Sequence, residues 1–307
     1  MQTTLRNSVA LTGTGLHLGR PARIALLPAP AGTGIQFRRT DAVTGDPVLP
    51  ARWDLVEQTP LCTRLVNADG VSVSTVEHVM AALAGCGIHN AMVEVSGPEV
   101  PVLDGSSAPF VQALLGAGVR RLEAPVWALR VDAEVRVDGK DGAWARLAPA
   151  DGLSIAFEID FDDAAIGRQT RALNMANGAF VRELCDSRTF CRRSDVEQMR
   201  AAGLALGGTL DNAVVVEGAR VLTPGGLRHR DEPVRHKMLD ALGDLALAGA
   251  PILGAYHGHR AGHALTNALL HALFDRPDAF SRIECSADTL RRLPGMGVTL
   301  SDLPAVA

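Results

Sequence analysis

The sequence predicts an α+β fold: a duplicated, two-domain α+β unit whose sheets can face each other with a site between them. Three observations predict it. Each half opens with short alternating runs of apolar and polar residues and closes on helix, strand and helix. The helices that begin those closing units share a phrase, Val76-Glu-His78-Val-Met and Val234-Arg-His236-Lys-Met. The chain has 307 residues, 47% hydrophobic and 21% charged, enough to bury a core in each half.

The elements follow in order. Residues 22–28, 34–38 and 71–74 alternate and are broken by Gly, Pro and Asp, which predicts strands. In 75–85 the period changes. Val76, Val79, Met80 and Leu83 share one helical face, Ser74 or Thr75 can cap it, and Gly85 or Gly87 can end it. A strand at 91–95 and a helix at 106–115 follow, and 116–125 has the composition of a linker. In the second half, 126–137, 143–148, 153–159, 213–216 and 252–255 predict strands. Residues 195–202, 232–248 and 262–274 predict helices. The domains expected are 1–120 and 126–307.

Charge and composition exclude several function classes. Lys+Arg is 30 against Asp+Glu 34, a net charge of −4, and aromatics are 4%, so neither a nucleic-acid surface nor a base-stacking platform is expected. Of the basic residues only Lys140 and Lys237 are lysine. The longest apolar run, 245–256, is too short to span a bilayer and is interrupted by Gly249 and Pro251. Residues 1–11 show no signal-peptide core, so a cytoplasmic protein is expected. The five cysteines are scattered, without a CxxC pair, and are expected as free, buried thiols. Residues 13–19 are glycine-rich but lack phosphate-loop spacing and are expected to form a hairpin turn.

Four segments carry chemistry. His236, Asp240 and Asp244 are spaced i, i+4, i+8 and form one polar stripe on a helix. A histidine and a carboxylate one turn apart suit zinc better than calcium, though a solvated stripe has the same spacing. Glu77-His78 pairs a base with a ligand-type residue at a helix start, without the HExxH arrangement. His257, His259 and His263 cluster where a strand passes into a helix, with the first two expected on a loop. A charged His263 needs a carboxylate partner, for which Asp244 is the candidate. The run Asp186-Ser-Arg-Thr189-Phe190 lies in a polar connection, where Ser187 and Thr189 are candidate nucleophiles without a GxSxG frame.

Taken together, TVEHVMAALAG, DSRTF, LALGGTLDNAVVV, VRHKMLDALGDL, AGHAL and the N-terminal TGTGLHLG resemble the zinc-dependent UDP-3-O-acyl-N-acetylglucosamine deacetylase family of the lipid A pathway. The resemblance runs from about residue 3 to 275, and the fold it implies is a duplicated two-domain α/β sandwich with the active site between the domains. It implies one Zn2+ per chain, with Fe2+ as a competitor, held by His78, His236 and Asp240. It implies Glu77 as general base, His263 as a cation oriented by Asp244, and Thr189 as a hydroxyl bonding the oxyanion. Lys237 and Asp195 match substrate contacts, and Phe190 lies along the substrate. An insert from about 195 to 218 corresponds to the acyl-chain passage, with Leu61, Cys62, Val196, Met199, Ala205 and Val215 among the residues expected to touch the substrate. The implied partner is an acylated UDP-sugar, with no nucleic acid and no membrane-spanning segment, and the implied state is a monomer. Two departures bear on the substrate contacts. Arg260 stands where relatives often carry Lys, and Cys191-Arg192 where they often carry Gly and Phe. Arginine is planar and differently hydrated, so it does not replace lysine contact for contact.

Overall fold

A computed structural model describes residues 1–59 and 61–304. Its first half is built on a five-stranded sheet in the order Val9–Thr14, Pro21–Pro28, Ala91–Val95, Ile35–Arg39, Val48–Pro50. Ile35–Arg39 runs parallel to Ala91–Val95 and the other pairs are antiparallel. Two helices belong to this half, α1 (Glu77–Gly85) and α2 (Ala108–Ala117). Gly15 to Arg20 make the turn expected from the glycine-rich run, closed by a Gly15 N–H bond to the Arg20 carbonyl.

The second half carries α3 (Ala179–Glu183), α4 (Arg193–Ala201), α5 (Glu232–Leu245), α6 (His263–Phe274) and α7 (Ala287–Arg291). Its seven-stranded sheet centres on Ile252–His259, which pairs with Trp144–Pro149, with Trp127–Val131 and with Ser154–Asp160. The order helix, strand, helix therefore recurs as α1, Ala91–Val95, α2 and as α5, Ile252–His259, α6. A small sheet of Phe190–Arg192, Val214–Glu217 and Arg220–Val221 stands apart and carries α4 at its edge.

The halves meet helix to helix, α1 packing directly on α5. One continuous apolar core runs through both, including Val79, Met80 and Leu83 of α1 and Leu239, Leu242 and Leu245 of α5. Close approach depends on Gly243 of α5, where any Cβ would collide with the backbone carbonyl of Glu77.

Four expectations are corrected. Residues 116–125 are not a plain linker, because Val119–Arg121 pairs with Thr3–Leu5. The strand expected over 126–137 is two strands, Trp127–Val131 and Val135–Asp138. His257 and His259 lie within strand Ile252–His259, where they flank Trp144, and not on a loop. α1 begins at Glu77 and has no side-chain cap: Thr75 takes a left-handed φ of 59° and its Oγ1 donates to Glu99. Strand Arg168–Asn174 was not expected, since its RQTRALN sequence has few apolar residues and shows no residue fully buried.

Candidate metal centre

His78 sits in the first turn of α1, and His236 and Asp240 lie one turn apart on α5. The packing of these helices brings one ligand-type atom from each within 4.8 Å of the others, and all three residues are buried. His236 Nε2 is 3.2 Å and His78 Nε2 3.7 Å from Asp240 Oδ1, and the imidazole centroids are 5.1 Å apart. His236 Nδ1 is 3.0 Å from the Ser187 carbonyl. A carbonyl only accepts, so Nδ1 carries the proton and Nε2 turns its lone pair toward Asp240.

The charges fit the same arrangement. Burial pushes both imidazoles toward the neutral form, His78 down to about 3 and His236 in the same direction. Burial opposes ionisation of Asp240, but the positive charge around it, with Lys237 and His263 cationic, outweighs it and holds its carboxyl well below the usual range. His236 Nε2 and a carboxylate oxygen thus face each other as acceptors beside the neutral His78 ring, and Asp240 Oδ1 has no hydrogen-bond partner among the described residues. Acceptors facing one another with no donor between them form a donor set for a cation. The donor set, two imidazoles and one carboxylate, fits a divalent ion such as zinc.

Two titratable groups flank the trio. His263 Nε2 is 3.8 Å from Glu77 Oε1 and 3.7 Å from Asp240 Oδ2. Burial raises the Glu77 pKa to about 7, offset in part by His263. Burial acts against charge on His263, but Asp244, Asp240 and Glu77 overcome it and hold its pKa at about 9. Asp244 Oδ2 lies 2.8 Å from His263 Nδ1, and the Thr63 hydroxyl donates to Asp244 Oδ1 at 2.6 Å. The Thr63 N–H also donates to Glu77 Oε2 at 3.0 Å. Thr63 therefore orients both carboxylates that serve the pair.

A cavity of about 970 Å³ opens over these groups. Of the residues expected at the site, Leu61, Thr189, Phe190, Asp195, Val196, Met199, Ala205, Val215 and Lys237 line it. Lys237 Nζ donates to Asp240 Oδ2 at 2.8 Å, which sets its charge beside the trio. Asp195 is bound to the Arg192 guanidinium at 2.8 and 2.9 Å. Asp244 stands behind His263 and is not a lining residue. Cys62 does not line the cavity either: it is buried and its thiol faces Thr59. Arg260 is exposed, donates to the Asp141 carbonyl and lies outside the lining. Cys191 lines the cavity, and burial raises its thiol to about 11, which keeps it protonated and unsuited to nucleophilic attack.

Of the lining residues that the sequence does not single out, His17 stands nearest to the chemistry. His17 is buried, both ring nitrogens lack partners among the described residues, and burial keeps the ring neutral. Its backbone N–H and that of Leu18 donate to Glu99 at 2.7 and 2.9 Å. The only available signal was a histidine inside a glycine-rich turn.

A buried trio with an acid–base pair beside it, at the floor of a cleft between two α+β halves, defines a metal-dependent hydrolase. The particular family follows from comparison with known proteins. Residues 2–275 match the family described as UDP-3-O-acyl N-acetylglycosamine deacetylase, and the chain belongs to it. Among its relatives, the UDP-3-O-acyl-N-acetylglucosamine deacetylase of Idiomarina loihiensis is 48% identical over 283 residues, covering 91% of each chain. Proteins of the same name from Pasteurella multocida and Shewanella oneidensis are 45% and 43% identical, over 91% and 96% of this chain and 92% and 97% of their own.

Proposed function

We propose that the chain hydrolyses the N-acetyl amide of a UDP-3-O-acyl-N-acetylglucosamine, releasing acetate and the free amine in the committed step of lipid A biosynthesis. The observation that carries the reading is the juxtaposition of His78, His236 and Asp240 with Glu77 and His263 at the floor of the cavity. The proposed ion is Zn2+, whose donor preferences Fe2+ shares, and when bound it polarises the amide carbonyl and lowers the pKa of a water to about 7.

The remaining work falls to the chain's own side chains. Glu77, poised by burial near neutral pH, takes a proton from the attacking water. Its Oε2 is held by the Thr63 N–H, which leaves Oε1 on the His263 side. Attack places negative charge on the former carbonyl oxygen, and the Thr189 hydroxyl on the cavity wall is the proposed donor to it. A donor of that kind is worth about 3 kcal/mol in the transition state. The leaving nitrogen needs a proton, and His263, kept charged by Asp244, supplies it. Lys237 adds a compact positive charge for the oxyanion or a diphosphate.

The acyl chain is proposed to lie along Val196, Met199, Ala205 and Val215, each buried CH₂ contributing about 0.8 kcal/mol. No described helix is long and apolar enough to cross a membrane, and we propose cytoplasmic action as a monomer on a UDP-sugar drawn from the same compartment. The test is acetate release from acylated UDP-N-acetylglucosamine, together with metal content. Wild type should hold about one ion per chain and turn over, and His78→Ala should lose both. A His78→Ala variant that keeps metal and wild-type turnover would overturn the reading.

A further inference from the structure

We infer that Arg188 and Glu232 are positioning residues for His236. The inference rests on the metal-site reading and extends it, because neither side chain lines the cavity. Its starting point is the bond from His236 Nδ1–H to the Ser187 carbonyl at 3.0 Å, which decides that Nε2 faces Asp240. Such a partner can orient a ligand only as firmly as it is itself held.

Ser187 is held from both sides. Before it, His229 Nε2 meets the Asp186 carboxylate at 2.8 and 2.9 Å, and the Arg228 guanidinium donates to the Asp186 carbonyl at 2.8 Å. After it, the Arg188 N–H and Nε–H both donate to Glu232 Oε1 at 2.9 Å. Arg188 Nη2 reaches Glu232 Oε2 at 3.2 Å and the Gly226 carbonyl at 2.7 Å, and the Arg228 N–H donates to Oε2 at 2.7 Å. Glu232 is 0% and Arg188 7% exposed.

Glu232 and His236 stand one turn apart on α5, so a single helix carries both the ligand and the anchor of the carbonyl that orients it. Glu232, Arg188, Ser187 and His236 close a ring. The rival account is that the pair only strengthens the fold. A buried ion pair is an inefficient way to do that, since an apolar pair of similar volume often does as well. Two of the bonds to Glu232 come from backbone N–H groups, which is where fixing the main chain, and not merely filling the core, is gained. The same clamp adjoins Thr189, whose N–H is tied to the Gly105 carbonyl at 2.8 Å.

The test reads metal binding without substrate. Metal-free protein is titrated with Zn2+ against a chelating competitor, and melting temperature is followed in parallel. Glu232→Gln keeps the volume and one acceptor oxygen, and Arg188→Lys keeps the charge. Each should weaken Zn2+ binding by roughly 10- to 100-fold. Leu253→Ala, in the separate apolar cluster with Val126 and Leu293, should lower the melting temperature and leave the affinity unchanged. Folded Glu232→Gln and Arg188→Lys proteins with wild-type affinity would overturn the inference alone. Where both fail to fold, the wild-type Arg188 amide decides: slow hydrogen exchange supports the clamp, and exchange at the rate of an open loop overturns it. Zn2+ binding that survives His236→Ala unchanged would instead overturn the metal-site reading.

Discussion

Glu77 and His263 are 3.8 Å apart and their environments push them to different ends of one pH window. Glu77 must be deprotonated to act as a base, so activity rises with pH through a limb at about 7, which a bound cation moves lower. His263 must be protonated to act as an acid, so activity falls as pH rises through about 9. Asp244 is the largest influence raising His263, and Asp244→Asn should move the alkaline limb of kcat/KM down by about one unit or more and leave the acid limb in place. An unchanged alkaline limb would remove Asp244 from its orienting role. Much at this scale was legible because one-turn spacing on a helix is fixed by geometry: His236, Asp240 and Asp244 had to share a stripe. Thr63 was not legible. Nothing around Leu61-Cys-Thr63 signals that a main-chain N–H there will meet Glu77 and a hydroxyl will meet Asp244, because both contacts join segments remote in sequence.

At the scale of elements, the centre exists because α1 and α5 approach closely enough to bring ligand-type atoms from different halves within 4.8 Å of one another. Gly243 permits that approach. Glycine in a helix interior costs about 1 kcal/mol relative to alanine, so its place inside α5 was itself a sign of tight packing. Gly243→Ala forces the new methyl group against the Glu77 carbonyl and separates the two helices. It should destabilise the protein by about 1–3 kcal/mol despite the gain in helix propensity. It should also weaken metal binding, because Glu77 and His78 move together relative to His236 and Asp240. A variant as stable and as well metallated as wild type would show that the helices can part without disturbing the trio. Periodicity revealed most helices and the central strands, since most of them bury one face, as α2, α6 and Ala91–Val95 do, although α4 buries no residue fully. It failed for Arg168–Asn174, which is held by backbone pairing to Ser154–Asp160 and has little apolar patterning to display. It failed again at Val119–Arg121, whose partner strand Thr3–Leu5 lies at the other end of its half.

For the whole molecule, the proposed ion and the core act on the same joint. His78 comes from the first half, His236 and Asp240 from the second, and the apolar core continues across both. A cation bound only by the folded chain therefore stabilises the association of the halves along with each half. At a free concentration a thousand times Kd, one site contributes about 4 kcal/mol. Removing it leaves Asp240 Oδ1 facing two neutral imidazoles with no positive charge between them, although Lys237 still neutralises Oδ2. Chelation should lower the melting temperature of the wild type by roughly 5–10 °C, and readdition of Zn2+ should restore it. His78→Ala should melt at one temperature with or without chelator, which separates loss of the ion from any direct effect of the chelator. Because the core is continuous, the metal-free chain should still unfold in one transition. Calorimetry that resolves two transitions, with only one of them sensitive to chelator, would mean that the halves fold independently and that the ion does not couple them.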